Sequence, residues 1–241
     1  MSVLVVTGTG TDVGKTVATA AVAACAAGAV AVVKPAQTGL APGEPGDLAE
    51  VLRLAGCADV HEYARFPDPL SPAAAARRSG LADLDRDDVL GRIAALDATH
   101  DLVLVEGAGG LLVEMSRDGW TLRDLLGDLG APALVVTEPG LGTLNATALT
   151  LEALHAGSID VAGIVIGRWP SAPDLACWCN VHDLAGLARL VGVLPDGLAQ
   201  VTDFPRRAAA ALAPALGGTF DVSAFRRLAH QEEQTWPTSS R

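Results

Sequence analysis

Positive charge is scarce in this 241-residue chain: 17 Lys and Arg stand against 28 Asp and Glu, for a formal net charge of −11. So acidic a surface repels nucleic acid and anionic membrane, and a polyanionic partner is not expected. Cysteine is scarce too. Cys25, Cys57, Cys177 and Cys179 suit reduced thiols in a cytosolic protein better than a disulfide framework. Cys177-Trp178-Cys179 with His182 invites a metal reading, but the spacing is not the C-x-x-C of a zinc knuckle and no second ligand pair follows, so a loop with incidental thiols is expected. A membrane span is also lacking. Val17 to Val33 carries no charge, yet it is mostly Ala, is broken by Gly28 and is bounded by Lys15 and Lys34, which reads as helix, turn and strand. No basic start leads into an apolar segment and cleavage site, so a cytoplasmic location is expected. There is no internal repeat, and half of the residues are apolar, enough to bury one core in a single domain.

What is present begins at once. The apolar run Val3 to Val6 is followed by Gly8-Thr9-Gly10-Thr11-Asp12-Val13-Gly14-Lys15-Thr16, a strand feeding a glycine-rich loop and then an Ala-rich helix. Backbone N–H groups in such a turn converge on one point, with the positive end of a helix dipole behind them, and phosphate binds there. Lys15 is placed to reach the β- and γ-phosphates of a nucleoside triphosphate, and the Thr16 hydroxyl to ligate a Mg²⁺ bridging them. The motif departs from G-x-x-x-x-G-K-[ST], because position 9 is Thr and the loop reaches back one residue further to Gly8.

Further apolar runs recur at Val30–Val33, Leu102–Val105, Ala133–Val136 and Val161–Ile166. Continuous apolar strands alternating with helices predict an α/β fold, a mostly parallel sheet covered on both faces. Helices are expected over Lys15–Ala27, Asp47–Ala55, Pro72–Ser79, Asp85–Leu96, Leu122–Leu129, Leu144–Ala156, Asp183–Val191, Arg206–Leu216 and Val222–His230. Residues 37–46 read as a Pro/Gly loop, and 231–241 as a frayed tail.

Ligands in such sheets sit at the carboxyl ends of strands. Lys34 leaves the second run and brings another cation toward a γ-phosphate; Glu106 leaves the third as a Walker-B acid does, within reach of a metal on Thr16. Glycines 107, 109 and 110 behind Glu106 permit close approach. Asp47 alone reads most simply as an N-cap. Leu141-Gly142-Thr143-Leu144-Asn145 is a second strand-to-helix turn whose N–H groups suit a carboxylate.

Taken in order, these segments resemble the dethiobiotin synthetase family. The match is carried by Thr7-Gly8-Thr9 through Thr16, Val33-Lys34-Pro35 with Thr38-Gly39, Asp47, Pro69-Leu70-Ser71-Pro72, Glu106 to Gly110, Leu141 to Asn145 and Gly192-Val193-Leu194-Pro195, and it extends to about Leu216. The long loop is the form this family has. The resemblance implies a P-loop NTPase-like domain over residues 1–230 that uses ATP, Mg²⁺ and CO₂ (or bicarbonate) to close 7,8-diaminopelargonic acid into dethiobiotin. It implies that Lys15 and Lys34 are catalytic, that Thr16, Asp47 and Glu106 gather the metal, and that Gly10, Thr11, Asp12, Val13, Gly14, Lys15, Thr16 and Val17 hold the nucleotide, with Gly167, Gly192, Leu194 and Pro195 near its base. Thr11, Lys34, Thr38 and Gly109 would line the substrate site. Gly142, Thr143 and Asn145 would grip the substrate carboxylate across a homodimer. One family position differs: Gly167 stands where an Asn usually reads adenine, so other triphosphates including CTP are expected to serve, and an Asn restored there is expected to favour ATP if the loop geometry tolerates a side chain. The rival reading is a nucleotide-switched ATPase of the partitioning and septum-positioning type. Those proteins carry a second lysine five residues before the loop lysine, and here that residue is Gly10.

Overall fold

A computed structural model describes residues 3–56 and 59–236; Cys57 and residues 237–241, the end of the expected tail, lie outside them. Seven parallel strands form one sheet in the order β3-β2-β4-β1-β5-β6-β7. They span Val3–Gly8 (β1), Val30–Thr38 (β2), Asp59–Phe66 (β3), Leu102–Glu106 (β4), Ala133–Thr137 (β5), Val161–Trp169 (β6) and Leu190–Pro195 (β7). Alternate residues serve opposite faces. Val3, Val5, Val103, Val105, Ala133, Val135, Ile164 and Ile166 enter one apolar cluster, while Leu4, Val6, Leu104, Leu134, Val136 and Val165 enter the other. Because both faces are dry, the central strands read as unbroken apolar runs.

Helices α1 (Lys15–Cys25), α2 (Asp47–Ala55) and α8 (Phe204–Ala211) cover the second face. The first is covered by α3 (Pro72–Ser79), α4 (Arg86–Asp97), α5 (Leu122–Leu129), α6 (Thr143–Ala156), α7 (Leu175–Leu187) and α9 (Val222–Thr235). Strand order reverses at β1, whose neighbours are β4 on one side and β5 on the other. The carboxyl end of β1 is therefore the switch point, where such sheets bind ligands. Among the described residues no helix is long and apolar enough to cross a membrane.

Several sequence expectations change. The helix expected over Asp183–Val191 starts earlier and stops sooner: Asp174 caps α7 by accepting from the Cys177 N–H at 2.8 Å, and Trp178, Val181 and Leu184 form its buried face. The Cys177-Trp178-Cys179 segment is thus helical rather than a loop, and Leu190 already belongs to β7. The helix expected over Arg206–Leu216 ends at Ala211, because Leu212 bridges Gly192 and Pro214 opens a short 3-10 turn. Helix α9 continues to Thr235, so the first part of the expected tail is helical. Strand β2 runs on to Thr38, into what reads as a loop.

Candidate active site

Three strand ends meet at the switch point. After β1 the chain turns over Asp12 (φ 59°) and Gly14 (φ 98°) into α1, whose first residue is Lys15. No side chain caps this helix, so its leading N–H groups are left for a ligand. The loop rests on the end of β6: a Cβ on Gly14 would lie 2.8 Å from the Gly167 carbonyl oxygen, and one on Gly167 would lie 2.0 Å from that of Val13. Glycine at 167 is thus required by the close approach of two backbones, and the condition on which an Asn there would favour ATP, a loop that tolerates a side chain, is not met.

Lys15 is only 7% exposed, and its Nζ folds back to donate to the Gly10 carbonyl at 2.7 Å. Burial lowers its pKa below the usual 10.5, and the neighbouring Lys34 lowers it further, against the pull of Glu106 and Asp47. Lys34, 3% exposed on β2, is differently placed. Its Nζ lies 2.6 Å from Asp47 Oδ2 and 2.7 Å from Glu106 Oε1, and donates to the Gly107 carbonyl at 3.1 Å. Burial opposes its charge, yet the two carboxylates outweigh that and raise its pKa.

Glu106 is fully buried; its Oε1 also accepts from the Thr16 hydroxyl at 2.9 Å, while its Oε2 has no partner among the described residues. Asp47 is not an N-cap. That position is Gly46, and Asp47, first in the helix, donates its N–H to Gln37 Oε1 at 3.1 Å while its carboxylate turns to Lys34. One hydroxyl and two carboxylates make a hard-oxygen donor set, and the unpartnered Glu106 oxygen leaves it a free ligand atom; the set suits Mg²⁺.

A cleft of about 680 Å³ opens above these groups. It brings together Thr11, Asp12, Gly14, Lys15, Thr16, Val17, Lys34, Thr38, Asp47, Glu106 and Gly109, all singled out in the sequence, with Pro69 to Pro72 at its rim. Gln37, which positions Asp47, and Arg168, which donates to the Asp12 carbonyl at 3.3 Å, also line it. Sequence reasoning missed both, since neither lies in a motif that predicts its partner.

Other expected residues lie elsewhere. Gly192 and Leu194 are buried in β7, where a Cβ on Gly192 would meet Leu212 at 2.7 Å, and only Pro195 reaches the surface. Gly142, Thr143 and Asn145 stand at a separate turn beyond β5. Gly142 (φ 89°) caps α6, and Gly142 and Asn145 are exposed. The Thr143 hydroxyl points inward, bonded to the Glu138 carbonyl and to Thr137, each at 2.6 Å. Asn180, a residue the sequence did not flag, braces this turn by donating to the carbonyls of Pro139 at 2.8 Å and Gly140 at 3.0 Å.

Known proteins resemble this chain in sequence and in shape. The AAA domain family matches residues 2–201. The chain is 58% identical to the ATP-dependent dethiobiotin synthetase BioD of Frankia casuarinae, over 94% of this chain and 98% of that one. The corresponding figures are 60%, 90% and 98% for that of Saccharopolyspora erythraea, and 54%, 93% and 98% for that of Streptomyces coelicolor. Among solved structures, the MinC:MinD cell division protein complex of Aquifex aeolicus gives a TM-score of 0.53 at 15% identity, covering 100% of this chain and 99% of that one. The cell division ATPase MinD of Pyrococcus furiosus gives 0.52 at 18%, covering 97% and 99%. At such identities the likeness is of fold alone.

Proposed function

The chain belongs to the ATP-dependent dethiobiotin synthetase family, and from that premise we propose that Lys15, Lys34, Thr16, Asp47 and Glu106 are the working groups of its site. The enzyme is an ATP-dependent ligase of biotin biosynthesis. One amine of 7,8-diaminopelargonic acid takes up CO₂ as a carbamate, and a carbamate oxygen attacks the γ-phosphorus of ATP, displacing ADP. The second amine then attacks the carbonyl carbon of the mixed anhydride, closing the cyclic urea and expelling phosphate.

Lys34 carries the reading. A buried ammonium gripped by two carboxylates stays charged and cannot swing away, which gives a carbamate and a transferring phosphoryl group a preorganised positive centre. Lys15, held over the loop through the Gly10 carbonyl, moves to the phosphates as nucleotide enters. Mg²⁺ would be held by Thr16, Asp47 and Glu106 and, when bound, neutralises phosphate oxygens. Thr11, Thr38 and Gly109 border the diamine, with Gln37 keeping Asp47 in place. The active unit is a homodimer in which Gly142 and Asn145 of one chain take the substrate carboxylate of the other. The exposed turn and the bare Leu141 beside it support this.

The deciding experiment mixes the chain with diaminopelargonic acid, bicarbonate, Mg²⁺ and ATP and follows phosphate. Release that requires the diamine supports this assignment. Release without it, stimulated by a protein or DNA partner, would instead favour a switch ATPase, the reading that Gly10 argues against.

A further inference from the structure

Helices α7 and α9, neither of which lines the cleft, pack side by side and share an aromatic cluster. The Trp169 ring stands 4.9 Å from that of Trp178 on α7 and 5.1 Å from that of Phe225 on α9. About one turn further along both helices the contact changes character. His182 of α7 and His230 and Glu233 of α9 offer ligand atoms that all lie within 4.8 Å of one another. The two imidazole rings are 5.7 Å apart and nearly perpendicular. His182 Nε2 is buried and has no hydrogen-bond partner among the described residues. One turn before His182, the Cys179 thiol faces the Glu233 carboxylate.

Residues three apart on a helix share a face, so Cys179 and His182 on α7 look across at His230 and Glu233 on α9. Among the described residues, Glu233 makes no ion pair with either ring, although imidazole and carboxylate stand close enough to be drawn together. Ligands at tetrahedral positions about 2.0–2.3 Å from a zinc ion would themselves be about 3.4 Å apart, so a small closing movement brings His182, His230 and Glu233 to such spacing, while the Cys179 thiol, outside that close group but against Glu233, travels further to take the fourth position. His230 would have to give up its 2.8 Å contact with Gln234 or use its other ring nitrogen. Two imidazoles, a carboxylate and a thiolate select a borderline cation over Mg²⁺.

We propose that His182, His230, Glu233 and Cys179 form a structural zinc site that fastens α9 to α7. The missing second ligand pair of the Cys179-His182 segment is supplied from α9, out of reach of any sequence spacing rule. Binding exchanges the thiol proton for the ion, with release of H⁺ to solvent.

The test uses the full chain, stripped with a chelator and kept in excess Mg²⁺ so that the oxygen ligands of the cleft do not compete. Titration with Zn²⁺ alone is expected to give one ion per chain and a higher Tm. His230→Ala and Glu233→Gln, both changes on the outer helix, are expected to weaken Zn²⁺ binding by about a hundredfold while leaving turnover unchanged. With Co²⁺ as probe, a thiolate-to-metal absorption band is expected and should vanish in Cys179→Ser. No Zn²⁺ binding, or binding that both outer-helix variants retain at full strength, overturns the site; a cobalt complex without the thiolate band removes Cys179 from it.

Discussion

Two turns in this molecule use the same local device. After β1 and again after its neighbour β5, the chain enters a helix through a left-handed glycine with no side-chain cap, Gly14 at φ 98° and Gly142 at φ 89°. Their surroundings differ. Around Gly14 the side chains are engaged and the loop is packed, with the glycine on Gly167, Lys15 on the Gly10 carbonyl and Thr16 on Glu106. Around Gly142 only the underside is built, with Thr137 bonded to both Thr143 and Thr147, and Asn180 beneath the turn. Above it a Cβ on Gly142 would meet nothing within 4 Å, and Leu141 is 90% exposed. One turn is finished by its own chain. The other has a firm base and an open top, the arrangement expected of a surface that a second copy completes.

The sharpest break comes inside the first turn. Removing preorganised charge at a transferring phosphoryl group costs about 3–4 kcal/mol, so Lys34→Ala and Lys15→Ala are each expected to lower kcat about 10²- to 10³-fold in the diamine-dependent phosphate assay. Retention of more than about a third of the activity in Lys34→Ala would refute the role given to it. Stability should separate the two lysines. Lys34→Ala strands the fully buried Glu106 without its cation, a loss of about 3–5 kcal/mol for such pairs. Lys15→Ala is expected to be neutral or stabilising, since burial disfavours its charge. The pH dependence has opposite signs. With a raised folded pKa, the contribution of Lys34 is complete below 10.5 and is lost as pH climbs through the folded value. With a lowered one, Lys15 sheds its proton first in the folded state, and its penalty lifts as pH rises from that value toward 10.5. Denaturant melts of the two variants across alkaline pH would check both.

Mixing tests the second turn. If Asn145 acts across the dimer, a Lys15→Ala chain and an Asn145→Ala chain, each nearly inactive alone, should regain about a quarter of wild-type activity, because random exchange makes half the dimers hybrid and each hybrid has one intact site. Subunit exchange without recovery would assign each site to one chain. Asp47→Asn and Glu106→Gln should in turn raise the Mg²⁺ concentration for half-maximal rate; an unchanged metal dependence in both would leave them only as the partners of Lys34.

The two turns were equally visible in the sequence, but what surrounds them was not. Central strands were legible because β1, β4 and β5 are buried on both faces and stay apolar until near their ends, which is also why Glu106 stood out; Lys34 stood out as the charge that follows the apolar run Val30–Val33 in the middle of β2. The edges were not. Strand β3, from Asp59 to Phe66, is half-buried and carries Asp59, His61, Glu62 and Arg65, so no apolar run marks it. Strand β7 was absorbed into a helical reading because Leu184, Leu187 and Val191 continue the spacing of α7. Gln37 and Asn180 were illegible for a different reason: each acts through a backbone group 10 to 41 residues away, and no periodicity encodes such a bond. Asp47 was legible as a helix-start acid, but its buried partner was not.

The smallest expected effect concerns the nucleobase, beside the better-built turn. An amide reading adenine by two hydrogen bonds is worth about 1–3 kcal/mol, and Gly167 supplies none of it. ATP is therefore expected to lie within about tenfold of the best alternative in kcat/KM, with CTP among the triphosphates that support turnover. The fold also decides what the obvious repair would do. Since a Cβ at 167 would stand 2.0 Å from the Val13 carbonyl oxygen, Gly167→Asn must push the phosphate loop off the end of β6 before its amide meets any base. The variant should lose turnover with every triphosphate alike, and even Gly167→Ala should raise KM for ATP and CTP in parallel. Competition assays with both nucleotides would measure this. A gain in ATP preference for Gly167→Asn at undiminished kcat would mean that the loop yields easily, and a preference above about a hundredfold in the unmodified enzyme would mean that another group reads the base. Arg168 is the charged side chain to replace first in that event, because it lines the cleft and is tied to the loop at the Asp12 carbonyl.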